Sequence, residues 1–291
     1  MSSIPRQLAT FAAVLAVLYT GGFIAGQFID TGSHAEAGGS AHGGGPAETH
    51  SGEHGAKRAD PVRGLAVAEG GVRMVLETPE LARDRGGRLS FRIVDPAGRA
   101  VRDFEVEHEK RMHLIVVRRD LSGFQHLHPA LSAAGTWSTK LTLATAGSYR
   151  VFADFKHDGR RQTLARTITV PGSFEPVTLP APASTTTSGG DAVRMTAAGA
   201  RADAESDLAF DVTRDGRAVK LEPYLGARGH LVALRSTDLA YLHVHPTQIA
   251  ARTGQVAFAT RFPSTGRYRL YLQFKHAGRV RTAEFTTPVP R

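Results

Sequence analysis

The chain repeats itself, and what it repeats is histidine. Residues 112–129 and 229–246 align, with His113-Leu114-Ile115-Val116-Val117 matching His230-Leu231-Val232-Ala233-Leu234. Each run leads to a His-x-His-Pro, at His126 to Pro129 and at His243 to Pro246. In both copies the first His precedes that motif by 13 positions, and a Phe-Lys-His follows about thirty residues later, ending at His157 and His276. A self-similar chain folds as two like units, so the repeat decides the architecture before any single residue does. Imidazole is the commonest metal-binding side chain, and a four-histidine pattern kept in two copies asks for a chemical reason.

Around these landmarks the sequence reads as short strands closed by turn residues. Residues 89–94 (Leu-Ser-Phe-Arg-Ile-Val) alternate and stop at Asp95-Pro96-Ala97-Gly98, and residues 208–213 (Leu-Ala-Phe-Asp-Val-Thr) stop at Asp215-Gly216. Residues 147–157 match 266–276, and Val72-Arg73-Met74 matches Val193-Arg194-Met195. On the strand over 147–157 the expected inward face is Tyr149, Val151, Ala153 and Phe155; on its match it is Tyr268, Leu270, Leu272 and Phe274. Each unit of about 105 residues offers roughly seven strands and no amphipathic helix, the profile of an immunoglobulin-like sandwich. The expected fold is all-β: two tandem immunoglobulin-like β-sandwiches over 61–173 and 191–291, joined by a Pro-, Ala-, Ser- and Thr-rich link over 174–190.

The N-terminal region predicts a membrane location. Residues 8–29 are an uncharged run of 22, long enough as a helix to cross about 30 Å of hydrocarbon. Arg6 before it and Asp30 after it favour a cytoplasmic N-terminus. The expectation is a single-pass anchor over 1–30 with the β-domains outside the cytoplasm. The alternative is a signal peptide cleaved near Ala35-Glu36-Ala37, and hence secretion. Residues 31–60 are rich in Gly and His without apolar periodicity and are expected to be a disordered tether. Their His34, His42, His50 and His54 offer at most weak, transient coordination.

Several classes of function are excluded or disfavoured. With no cysteine, disulfides, thiolate metal sites and a blue-copper centre are ruled out. The formal charge of +9 is spread along the chain and carried mainly by Arg, so no nucleic-acid partner is expected. Gly-x-Ser-x-Gly, His-Glu-x-x-His and phosphate-cradling loops are missing, as is any acidic pair repeated in both units, so the chain is not expected to be an enzyme.

The histidines carry the remaining signal. Alternation along a strand puts His126 and His128 on one side, and His243 and His245 likewise. Pro129 and Pro246 hold the preceding His extended. The expectation is that His113, His126, His128 and His157 share one metal ion, and that His230, His243, His245 and His276 share a second. An imidazole-only donor set suits Cu(II) or Zn(II). Lys156 and Lys275, beside the last His of each set, are expected to turn away and pack or pair elsewhere. Asp154, aligned with Gln273, is expected in a surface ion pair, and His108, which has no His counterpart, at the surface. The competing reading is a non-metal envelope interaction or adhesion module whose histidines form a structural hydrogen-bond network.

The string from His113 to Pro129, together with Phe152-Ala153-Asp154-Phe155-Lys156-His157, resembles bacterial envelope proteins of the YtkA-like, heavy-metal-associated type. The similarity spans 65–290 as two tandem units. It implies exported or membrane-anchored immunoglobulin-like sandwiches with a metal-handling role, often encoded beside copper or other heavy-metal export systems. A metal transporter or another envelope protein is the partner this implies. It supplies no ligand set.

Overall fold

Alternation of apolar and polar residues produces the strands, and the computed structural model describes them over residues 62–242, 244–247 and 253–291, with His245 described by its backbone alone. The expected membrane span and the His-rich tether lie outside the described residues. Among the described residues every regular element is a strand, and no helix is long and apolar enough to cross a membrane.

The first repeat contains β1 (Ala68–Glu69), β2 (Val72–Leu76), β3 (Gly87–Val94), β4 (His113–Arg118), β5 (Gln125–Leu127), β6 (Ala130–Leu131), β7 (Trp137–Leu141), β8 (Gly147–His157) and β9 (Arg160–Val170). The second contains β10 (Thr185–Ser188), β11 (Asp191–Ala198), β12 (Glu205–Arg214), β13 (Arg217–Ala218), β14 (Gly229–Arg235), β15 (Tyr241–Leu242), β16 (His245–Pro246), β17 (Gln255–Arg261), β18 (Gly266–His276) and β19 (Arg279–Val289). Each repeat is an immunoglobulin-like sandwich of two antiparallel sheets. In the first they run β1-β2-β3-β7-β6 and β5-β4-β8-β9; in the second, β10-β11-β12-β17-β16, with β13 on β12, and β15-β14-β18-β19. In both, the chain leaves one sheet for the other at the His-x-His-Pro, since β5 pairs with β4 while β6 pairs with β7, and β15 pairs with β14 while β16 pairs with β17.

The two cores follow the alternation. Leu89, Phe91 and Ile93 of β3 meet Leu114 and Val116 of β4 and the expected face of β8: Tyr149, Val151, Ala153 and Phe155. In the second repeat Leu208, Phe210 and Val212 meet Leu231 and Ala233 of β14 and Tyr268, Leu270, Leu272 and Phe274 of β18.

What alternation alone did not foresee is that β4 is buried at all six positions. A strand with one wet face alternates; a strand covered on both faces reads as continuously apolar. The second cover is the other repeat. Ile115, Val117, Leu121, Phe152 and Ala165 from the first repeat and Val232, Leu234, Leu239, Tyr241 and Tyr271 from the second form a third buried cluster. The β4 and β14 sheets thus meet through their outer faces. Phe124 stacks on Tyr271 at 4.0 Å between ring centroids, Tyr241 lies 5.6 Å from Phe152, and the Tyr271 hydroxyl donates to the Leu121 carbonyl at 2.6 Å. Burial pushes the Tyr271 phenol well above its usual range, so it stays a donor.

Each repeat also holds a matching local ion pair at the end of its β4 or β14 strand. Arg118 Nε donates to Asp120 at 3.0 Å, and Arg235 Nε to Asp238 at 2.9 Å. Asp120 also accepts from the Val177 amide at 2.8 Å, and Arg118 reaches the Glu175 carbonyl at 3.1 Å, tying the link between the repeats to the first sandwich.

Candidate metal centre

Register decides which histidines share a face. On β4, His113 lies two residues before Ile115 and therefore points into the seam, while its neighbours Met112 and Leu114 fill the first core. His126 is the cross-strand partner of Ile115, which puts it on the same face, and His128 follows two residues later. One ring nitrogen from each of His113, His126 and His128 lies within 4.8 Å of the others. The rings stand 5.3 Å (His113 and His126), 5.1 Å (His113 and His128) and 4.7 Å (His126 and His128) apart.

The fourth member expected for this set is elsewhere. His157 lies two residues after Phe155, on the core face of β8, whereas the position paired with His113 is Asp154, on the seam face. His157 packs 6.0 Å from the Phe104 ring, and its Nδ1 meets the Asp103 carbonyl at 2.8 Å. The same parity removes His276 from the seam: it follows Phe274 on the core face and binds Asp191, a fully buried carboxylate that also accepts from Arg214 at 2.8 Å. His243 and the side chain of His245 lie outside the described residues. The remaining member of the second set, His230, lies beside the first set: its ring is nearly parallel to His113 at 5.3 Å and lies 4.8 Å from His126. His113, His126, His128 and His230 therefore gather at one place between the repeats, where two separate centres were expected.

Two residues near the cluster were misread from sequence. His108, expected at the surface, holds its ring 6.1 Å from His113 and 5.8 Å from His230. It sits at a positive φ of 47° in the turn closed by Glu107 and Lys110, a position at which composition predicts nothing. Asp154, expected in a surface ion pair, is buried and accepts from Thr163 Oγ1 at 2.9 Å, with the Tyr241 hydroxyl at 3.4 Å. The lysines do turn to partners: Lys156 pairs with Glu105, and Lys275 with Glu222 at 3.2 Å. A small cavity of about 10 Å³, room for one water-sized occupant, is lined by His108, His113, His230 and Asp154 among others.

The hydrogen bonds around the trio define its protonation. Gln273 Oε1 is an acceptor, so His126 donates to it from Nδ1 at 2.6 Å and keeps a bare Nε2. His113 places Nε2 3.0 Å from the Glu107 carbonyl, also an acceptor, so a neutral His113 carries its proton there and keeps a bare Nδ1. Those two bare nitrogens face each other at 3.0 Å. The third ring adds a buried Nε2 on His128 that has no hydrogen-bond partner among the described residues. Burial, with His113 and His128 adding to it, lowers the His126 pKa from 6.5 to about 3; burial, with His113 and Lys110, lowers that of His128 to about 4. Both rings are neutral at pH 7, the form that binds metal.

Lone pairs aimed at one another repel unless a cation lies between them. Metal-bound histidines take this form, each fixed by its outer N–H on a carbonyl or carboxylate. Two nitrogens held tetrahedrally by one ion at about 2.0–2.1 Å are about 3.3–3.4 Å apart, so trio nitrogens spaced by up to 4.8 Å draw in on loading.

No curated protein matches the sequence. Among solved structures, an Escherichia coli adhesin, FdeC, is 14% identical over 77% of this chain and 65% of its own, with a TM-score of 0.27. Salmonella alpha-2-macroglobulin reacted with methylamine is 14% identical over 77% of this chain and 15% of its own, with a TM-score of 0.28. Trypsin-activated alpha-2-macroglobulin from Escherichia coli is 13% identical over 79% and 16%, with a TM-score of 0.28. The chain thus spans less than two thirds of the length of each. A family model matches twice, at residues 66–172 and 185–291. The chain belongs to the family of that model, described as a domain of unknown function (DUF8832), and carries two tandem copies of it.

Proposed function

We propose that this protein binds one Cu(II) or Zn(II) ion in the seam between its repeats, with His113, His126 and His128 as ligands, and works as a metal buffer, sensor or carrier of the cell envelope. The observation that carries the reading is the pair of bare nitrogens on His113 and His126 facing each other at 3.0 Å. The orphan Nε2 of His128 supplies a third donor. Neutral imidazoles without sulfur suit these two ions, and the affinity order favours copper. Asp154, close enough to act electrostatically on His126, offsets part of a dication's charge. The apolar run at 8–29, read as an anchor that leaves the β-domains outside the cytoplasm, and the resemblance to heavy-metal-associated envelope proteins belong to the same proposal. So does a partner that delivers or accepts the ion, such as a metal transporter.

The competing reading replaces the metal with a proton. An imidazolium at His113 would donate from both nitrogens, to His126 and to the Glu107 carbonyl, and the cluster would then be a structural network in an interaction module. Elemental analysis separates the two. Full-length protein purified without a polyhistidine tag, stripped, challenged with Cu(II) and Zn(II) and desalted should retain about one equivalent more than a His126→Asn, His128→Asn variant. Equal retention by both proteins would leave the metal reading without support.

A further inference from the structure

The trio is supplied by one repeat, but its surroundings are not. The His126 tautomer is fixed by Gln273 of the second repeat, and the ring of His230 stands 4.8 Å from His126 and 5.3 Å from His113. Imidazoles bound to one ion at about 2.0–2.1 Å have ring centroids roughly 4.5–6.3 Å apart, depending on the angle at the metal. The trio spans 4.7–5.3 Å, so His230 is as close to two of its members as they are to one another. Gln273 and His230 are cross-strand partners on β18 and β14. At Gly229 the backbones come close, since a Cβ there would lie 2.9 Å from the Gln273 carbonyl oxygen.

Resting on the metal reading above, we infer that the centre belongs to both repeats. His230 supplies a fourth imidazole, and Gln273 is a positioning residue that holds His126 with Nε2 toward the metal. A bound ion then clamps the seam, and by linkage the closed seam binds the ion more tightly. Four-coordinate closure by protein nitrogens marks a site that retains metal, whereas three ligands would leave a position open to water.

Co(II) and Zn(II) on the full-length chain test this, with His126→Asn, His128→Asn as the baseline. Wild-type protein should give intense tetrahedral Co(II) bands. His230→Gln should lose most of that intensity and bind Zn(II) 10- to 100-fold more weakly in chelator competition. Gln273→Leu should weaken Zn(II) binding by 10- to 100-fold, the usual cost of an outer-shell partner. Gln273→Glu should retain affinity, because the acceptor remains and the first repeat carries Asp154 in that slot. Zn(II) should also slow amide exchange on β14 in the wild type and not in His230→Gln, an effect that a merely structural His230 would not produce. If wild type loads normally while His230→Gln and Gln273→Leu match it in spectrum and affinity, the cross-repeat centre is wrong and the simpler trio survives. A wild type that takes up neither ion overturns both.

Discussion

Acid should weaken the metal-free fold through two rings in particular. His126 and His128 are held at about 3 and about 4, against 6.5 for an ordinary imidazole. Between those values the unfolded chain binds protons that the folded chain refuses, so stability is intact above pH 6.5 and falls as pH drops toward 4. At pH 5 an unfolded ring lies 1.5 units below its titration midpoint, and at about 1.4 kcal/mol per unit each His costs about 2 kcal/mol relative to neutral pH. The pair, which keeps some solvent contact, then costs roughly 3–4 kcal/mol. Asn is the appropriate control at His126, since its amide can donate to Gln273 from nearly the position of Nδ1 and does not titrate. Urea unfolding in EDTA at pH 7 and pH 5 should show wild type losing about 3–4 kcal/mol more than His126→Asn, His128→Asn. Background carboxylates titrate alike in both proteins and drop out of the difference. Parallel losses would mean that these rings are not held neutral by burial, and the tautomer argument for the metal centre would go with it.

Other perturbations probe the seam itself. Tyr271→Phe removes a buried donor from the Leu121 carbonyl and should cost about 1–3 kcal/mol in urea unfolding, with the larger share in the unfolding rate if the seam forms late. Phe152→Ala deletes a fully buried ring between the repeats and should cost about 3–5 kcal/mol; a loss below 1 kcal/mol would place that face in solvent. Arg118→Leu leaves the Asp120 carboxylate without its main partner at a site where Arg118 is 2% exposed. It should cost about 3–5 kcal/mol and raise proteolysis in the 174–190 link, whereas unchanged cleavage would show that the link is held by other contacts.

The sandwiches were legible because their strands alternate: Leu89, Phe91 and Ile93 announce one wet and one dry face, and the inward set on β8 matches the core residue for residue. The seam was not legible, since it has no pattern of its own. Its one trace is that residues 114–117 are apolar at every position, as a strand covered on both sides must be. The histidines were identified as a group but divided wrongly. Parity was available: His157 follows Phe155 by two and so belongs to the inner face, while His113 precedes the inward Leu114 by one and so belongs to the outer. The contributions of Gln273 and His230 depend on which faces of the two repeats meet, a fact that residues far apart in sequence settle jointly. His108 depends on a turn conformation that its neighbours do not announce.

The seam has a history written into its equivalence. Phe124 against Tyr271 and Tyr241 against Phe152 are the same contact made in both directions, the hallmark of an isologous association. A single copy of this domain would display Ile115, Val117 and Phe152 as an uncovered apolar patch and would have to find a second chain to hide it. Joining the copies in one polypeptide makes that pairing intramolecular and independent of concentration. It also frees the halves to diverge, which a homodimer cannot do: Asp154 faces one way and Gln273 the other, and a cluster that symmetry would have kept even-handed became lopsided.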